Sequence, residues 1–373
     1  MNILIAPQSF KGTLSAIEVA EMITAAVHTL NPNLQCLELP IADGGDGSLQ
    51  VLLRTQKKYW LRTGEGINPF LEHRNINWAE NTEEKKAFLE SASIIGLAQL
   101  NEEQKNLSSG TSYGVGKWIK DRIEEGLTRL SIGLGGSATN DGGAGALQAL
   151  SYQLLDFQGK PLGPGPIELL HLKEIKPPVM IEKEDIEITI LCDVQNPLIG
   201  NEGATRIYGE QKASKNDDLK KIEEGLEIFA EIVARDLGKK IDTFPMGGAA
   251  GGLAAGLSIL PGSKCIAGAQ YFLEELEFRK YLKNSDLLIV GEGQIDKQSN
   301  YGKGTVAAAQ LAQELGVPCI AVVGQKKGEN NPCFQEVLAV RDLFSFQESM
   351  KKPKHCLLDL LLKKLAPFIS VIK

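Results

Sequence analysis

The feature that most restricts this chain is a recurring unit, a short unbroken apolar run that ends in a polar, glycine-rich turn. "NILIA" (2–6), "DLLIVG" (286–291) and "VPCIAVVG" (317–324) are of this kind, and "LTRLSIG" (127–133) and "IEITILC" (186–192) are further expected strands that end in such turns. Runs of this length without polar alternation fit strands buried on both faces, as in a parallel sheet. Parallel neighbours need crossovers, and helical patterns stand between several of the runs. After the first run, Ser15 and Glu18 form an S-x-x-E capping box. Ile17, Met22, Ile23, Val27 and Leu30 follow at helical spacing until Pro32 ends the helix, and "LQCLELP" (34–40) supplies the next strand.

The middle of the chain differs. "KKYWLRT" and "LEHRNINWAE" alternate polar and apolar residues around "GEGINPF", the pattern of an antiparallel hairpin. Helical patterns cover roughly 113–126, 217–236 and 247–259. From residue 286 the βα alternation returns, and a final helix is expected over 355–372. A chain of 373 residues exceeds one ordinary core. The expectation is an α/β protein of two α/β domains. One is discontinuous, 1–57 plus 262–373, and the other, 58–261, is inserted and mixed.

Composition removes several classes. Hydrophobic content of 43% and charged content of 23% are those of an ordinary globular chain. A net charge of −7 argues against nucleic acid or an anionic membrane as partner. Cys36, Cys192, Cys265, Cys319, Cys333 and Cys356 form no CxxC pair, and the four histidines are scattered. Neither a disulfide frame nor a zinc site is expected. "MNILIAPQSFKGT" lacks the basic and long apolar regions of a signal peptide, so a cytoplasmic location is expected.

The turns carry the chemistry. "APQSFKGT" (6–13), "ADGGDGS" (42–48), "GLGGSATNDGG" (133–143), "CDVQNPLIGNEGAT" (192–205) and "GEGQIDKQSNYGKGT" (291–305) each combine glycines with a carboxylate, hydroxyl or lysine. Ligands of open parallel sheets bind beyond the carboxyl ends of the strands. Glycine-flanked N–H groups and lysines suit phosphate, and carboxylates suit the divalent cation that accompanies it. Phosphoryl transfer needs mainly positioning and charge stabilisation, and no histidine or cysteine nucleophile is required.

Each turn also has a plainer reading. Lys11 alone would be a solvated lysine, but its place between a buried strand and a capped helix favours ligand contact. Asp43 and Asp46 could cap a helix. Asp193, directly after an apolar run and before Asn196-Pro197, suits a metal or hydroxyl ligand, though an Asx-turn uses the same residues. "AAGGLAAGL" (249–257) reads chiefly as close helix packing. "GLGGSA" (133–138) also satisfies G-x-G-x-x-A with Asp156 downstream, so a nicotinamide dehydrogenase is a rival. Against it, "TNDGGAG" stands where the fingerprint helix should begin. No P-loop, H-R-D or D-F-G motif occurs.

Taken in order, "PQSFKGTLSA", "ADGGDGS", "GLGGSATNDGGAG", "CDVQNPLIGNEGA", "GAAGGLAAGL" and "DLLIVGEGQIDKQSNYGKG" closely resemble the bacterial glycerate kinase family, from about residue 3 to residue 324. The resemblance implies ATP-dependent phosphorylation of D-glycerate with a magnesium ion (Mg2+), giving 2-phosphoglycerate in preference to 3-phosphoglycerate. It also implies one flavodoxin-like domain and one restriction-endonuclease-like domain, with the site in the cleft between them. A non-catalytic phosphometabolite-binding protein is the remaining alternative. The sequence departs from the family pattern at Gln294, where arginine is usual, at Gln298-Ser299 in place of Gln-Thr, and at Ala213 after Gln211-Lys212 in place of glycine.

The roles that follow are expectations. Lys11, with N–H groups near Ser9, holds the substrate carboxylate. Asp193 orients or deprotonates the attacking hydroxyl beside Asn196. The nest of Gly135, Gly136, Ser137, Thr139 and Asn140, together with Lys303, holds ATP phosphates. Asp43 and Glu292 or Asp296 hold the metal.

Overall fold

In the computed structural model the unbroken apolar runs become strands covered on both faces. The structure describes residues 1–101, 105–178, 186–213, 218–295, 304–327 and 331–370. The strands in chain order are β1 (Asn2–Pro7), β2 (Gln35–Glu38), β3 (Trp60–Ile67), β4 (His73–Asn81), β5 (Lys86–Glu90), β6 (Arg129–Gly133) and β7 (Gln153–Leu155). They continue with β8 (Glu174–Lys176), β9 (Glu187–Leu191), β10 (Ser263–Ile266), β11 (Leu287–Ile295), β12 (Cys319–Lys326) and β13 (Glu336–Ala339). The chain divides into two units, one of residues 1–43, 50–57 and 267–373 and one of residues 44–49 and 58–266.

The first unit holds a parallel sheet in the order β13-β12-β11-β1-β2. Renumbered within the unit this is 2-1-3-4-5, the flavodoxin-like order. One face carries Ile3, Ile5, Ile289, Ile320 and Val322 against Val19, Ile23 and Val27 of helix Ala16–Leu30 and Leu357, Leu360 and Leu361 of helix Pro353–Lys364. Their alternates Leu4, Leu288, Val290 and Ala321 are equally buried on the other face. Ser15 and Glu18 form the expected capping box. The helix expected over 355–372 is divided at Leu365 into Pro353–Lys364 and Ala366–Ser370, and a separate helix, Phe346–Lys351, precedes it. Pro353 has no N–H to continue the Phe346–Lys351 helix and begins the next one instead.

The second unit has a mixed sheet, β10-β9-β6-β5-β4-β3. β5, β6, β9 and β10 are mutually parallel, while β3–β4 is the expected antiparallel hairpin, running from Trp60↔Glu80 to Ile67↔His73. β10 pairs with β9, so this unit extends to Ile266. Its core gathers Leu89, Ile132 and Ile190 with Trp118, Leu226, Phe229 and Leu253. The "AAGGLAAGL" segment is not a continuous helix. Ala250, Gly251 and Gly252 have positive φ, and a Cβ at Gly251 would lie 1.9 Å from Thr139 O. The small residues there let two backbones touch, and the touching interrupts the helix.

Candidate functional site

Each sheet collects its chemistry at one edge. In the first unit the carboxyl end of β1 leads into Gln8, Ser9, Phe10 and Lys11, that of β11 carries Glu292 and Gln294, and Asp43 follows β2. Register fixes this grouping, since Pro7 pairs with Gly291 and Ile41 N donates to Pro7 O at 2.9 Å. The order reverses between β1 and β11, which is the switch point where such sheets bind ligands.

Gln8 is buried, its Oε1 accepting from Thr305 N at 3.3 Å and lying 3.2 Å from Thr305 Oγ1. This ties helix Gly304–Glu314 to the end of β1. Lys11 is exposed and its Nζ lies 3.5 Å from Asp43 Oδ2. The two were assigned to different partners, substrate and metal. The structure pairs them, Lys11 exposed and Asp43 half-buried, and an ammonium so open to water adds little stability. Ser9 is half-buried beside them. Asp296 and Lys303 lie outside the described residues.

In the second unit, Glu90 ends β5, Gly133 ends β6, and Asp193 follows β9 by two residues, so three adjacent parallel strands deliver them to one edge. The glycines of the 133–145 loop are mostly there because backbones meet. A Cβ on Gly133 would lie 1.9 Å from Gly44 O, and one on Gly135 would lie 2.7 Å from Gly45 Cα. Gly145 would meet Thr111 Oγ1 at 1.9 Å. Gly136 is the exposed member, with φ +66.

Asp141 is wholly buried and anchors this loop. It accepts from Ser112 N (2.7 Å), Ser112 Oγ (2.9 Å), Thr111 Oγ1 (3.3 Å), Gly143 N (3.1 Å) and Gly145 N (3.1 Å). Burial pushes its carboxyl above the ordinary value and these donors oppose the shift. Ser137, Thr139 and Asn140, expected as phosphate partners, have buried side chains. Asn140 Nδ2 donates to Thr205 Oγ1 at 3.0 Å. Thr139 and Asn140 are therefore interior residues in this structure, and the loop meets solvent at Gly135 and Gly136. Their nearest signal in the sequence was polarity, which says nothing about direction.

Asp193 is exposed. Asn196 is held by Tyr208 Oη, which donates to its Oδ1 at 2.7 Å, and its Nδ2 donates to Glu202 O at 3.0 Å. Two residues were not anticipated. Glu90 accepts from Leu49 N at 2.7 Å, and burial, with Asp46 nearby, lifts its carboxyl to about 7. A carboxylate closing an apolar strand was its visible signal. Lys212 is buried, its Nζ donating to Ser137 Oγ and Thr139 O, each at 3.1 Å. Nothing in its spacing announced this.

The dinucleotide reading of "GLGGSA" fails on geometry. The next helix begins at Ala144, well past the motif, with Asp141 and two left-handed glycines between. Among the described residues no three His, Cys, Asp or Glu side chains are gathered as a metal cluster. No helix among them is long and apolar enough to cross a membrane.

The sequence model of the Glycerate kinase family matches residues 3–365. A glycerate kinase of Haemophilus influenzae is 40% identical over 326 residues, covering 87% of this chain and 86% of that protein. A glycerate 2-kinase of Escherichia coli is 35% identical over 329 residues, 87% of this chain and 85% of that one. A crystal structure from Salmonella typhimurium LT2, provisionally assigned as glycerate kinase 2, superposes with a TM-score of 0.85 at 31% identity, over 99% of this chain and 98% of that one.

Proposed function

The chain belongs to the glycerate kinase family, whose members are ATP-dependent kinases, and on that premise we propose how its own residues serve the reaction. The reaction is transfer of the ATP γ-phosphoryl group to a hydroxyl of D-glycerate, with 2-phosphoglycerate as product. A relative named glycerate 2-kinase supports that regiochemistry. The observation that carries the reading is the placement of Asp43 and Glu292 at the carboxyl edge of the first sheet and of Asp193 and the exposed Gly136 at that of the second.

In this reading Lys11 and the N–H groups around Ser9 hold the carboxylate of glycerate. The Lys11–Asp43 pair, whose ammonium end is exposed, releases its lysine at small cost. Asp193 is open to solvent at the end of β9 and takes the hydroxyl proton as attack begins. Asn196, already oriented by Tyr208, positions that hydroxyl. The backbone of half-buried Gly135 and exposed Gly136 binds ATP phosphates, while Ser137, Thr139 and Asn140 shape the turn from inside, and Lys303 adds charge. Magnesium takes hard oxygen ligands and is commonly held by one or two carboxylates plus substrate phosphates. Asp43 and Glu292, with Asp296, are of that chemistry, and the bound ion would neutralise phosphate charge. ATP as substrate and six cysteines without a disulfide suit a cytoplasmic enzyme.

The test is an assay with ATP, magnesium and D-glycerate coupled to enolase, which consumes only the 2-phosphate. Signal without an added mutase supports the assignment, and ADP release with no enolase signal refutes the regiochemistry. Asp193→Asn should lower kcat by roughly 10²–10⁴ while the protein stays folded. Near-normal turnover would remove Asp193 from the chemistry.

A further inference from the structure

Helix Ala204–Lys212 grips the phosphate turn at two points. At its start Thr205 Oγ1 accepts from Asn140 Nδ2 at 3.0 Å, and at its end Lys212 Nζ donates to Ser137 Oγ and Thr139 O at 3.1 Å each. Lys212 is only 8% exposed. A buried ammonium is an expensive way to hold two oxygens, since neutral donors or an apolar filler would close the same space. Asp141 acts on this charge but makes no hydrogen bond to it. That carboxylate already has its own set of donors from Thr111, Ser112, Gly143 and Gly145. Thr139 Oγ1 and Asn140 Oδ1, buried in the same stretch, have no hydrogen-bond partner among the described residues. The turn therefore keeps more charge and polarity inside than its own fold requires.

We propose that Lys212 is a positioning residue for the nucleotide: it fixes the Ser137–Thr139 backbone from behind and places a buried positive charge under the N–H groups that receive ATP phosphate. The inference rests on the reading that the Gly135–Ser137 turn is the phosphate site. A charge beneath a set of backbone donors deepens their attraction for an anion, and low local polarisability lets the effect carry through the turn. Lys212 does not itself touch the nucleotide.

The surroundings make its charge sensitive to pH. Burial lowers the amine to about 8, and the Asp141 charge opposes that shift. Helix Leu219–Leu237 meets this helix through Leu219 against Gly209, and its Glu223 accepts instead from Gly200 N at 2.9 Å. The Ala249–Leu257 segment, also packed on this helix, has no charged side chain. Among the described residues Asp141 is thus the charged group that acts on Lys212. Phosphate binding favours the protonated amine, so nucleotide affinity falls as pH rises through the value at which the amine loses its proton.

The experiment measures KM for ATP, KM for D-glycerate and kcat, with ADP binding by calorimetry, for the wild type, Lys212→Met, Lys212→Arg and Gly136→Ala. Lys212→Met should raise KM for ATP and weaken ADP by roughly tenfold, with KM for glycerate little changed. Lys212→Arg should recover part of that loss. In the wild type KM for ATP should rise between about pH 7.5 and 9.5, above the last phosphate ionisation, and in Lys212→Met it should be flat. Equal KM values in Lys212→Met, or a flat wild-type profile, overturn the proposal. If Gly136→Ala weakens ADP while Lys212→Met does not, the turn remains the phosphate site and the role of Lys212 alone falls. If Gly136→Ala also leaves ADP binding intact, the reading of the turn falls and takes the proposal with it. Should Lys212→Met fail to fold, the wild-type profile and Lys212→Arg decide.

Discussion

Two carboxylates at one sheet edge, Asp141 buried and Glu90 half-buried, show how local environment assigns different work to the same group. Asp141 is saturated by hydroxyl and backbone donors and holds a loop in shape. Glu90 caps the 47–49 backbone at the start of helix Ser48–Thr55, with Asp46 as a like-charged neighbour, and its carboxyl stands at about 7 instead of 4.5. Between those values the folded protein binds a proton that the unfolded chain has lost. Stability from this group is present below about 4.5 and is lost as pH rises through about 7, by roughly 3 kcal/mol in all. Glu90→Gln cannot titrate, so its unfolding free energy relative to wild type should improve by a similar amount from pH 4.5 to pH 8. Denaturant titrations across that range measure it, and a constant difference would show that Glu90 does not titrate there.

Among the elements, the end of β6 and residues 44–48 behave as one piece because their backbones are in contact. That is why residues 44–49 pack with the second unit, although both flanking segments belong to the first. Gly133 is required by space: a Cβ would lie 1.9 Å from a carbonyl oxygen, and backbone on both sides leaves nothing to yield. Gly238 is required only by conformation, as the left-handed cap of helix Leu219–Leu237 with open space around it. Gly238→Ala should cost about 1 kcal/mol. Gly133→Ala should cost about 3 kcal/mol or more, as overpacking does where no side chain can move. Denaturation midpoints compare them directly, and equal costs would show that the loops can part. The "AAGGLAAGL" segment follows the same logic, its left-handed residues set by contact with Thr139 and Asn140.

For the whole molecule, the functional reading gives the ATP phosphates to the 133–138 turn of the second unit and the glycerate carboxylate to the 9–13 turn of the first, units with separate cores. ADP alone should slow amide exchange at 44–49 and 133–138, and D-glycerate alone should slow it near 9–13. Protection of 133–138 by glycerate alone would reverse the assignment.

What the sequence determined by itself was the part that depends on local patterning. Parallel strands are buried on both faces, so "NILIA", "DLLIVG" and "VPCIAVVG" had to read as unbroken apolar runs, and the turns after them had to lie at the ligand edge. Ser15–Glu18 announced its helix because a capping box is contained in four residues. Tertiary structure alone decided which polar groups face inward. The burial of Thr139 and Asn140, the grip of Lys212 on Ser137, the upward shift of Glu90 and the pairing of Lys11 with Asp43 each join residues distant in the chain or turn a side chain toward the core. Burial depends on which remote segment arrives to cover a residue, and charge state follows burial, so neither can be read from a residue's own neighbours in sequence.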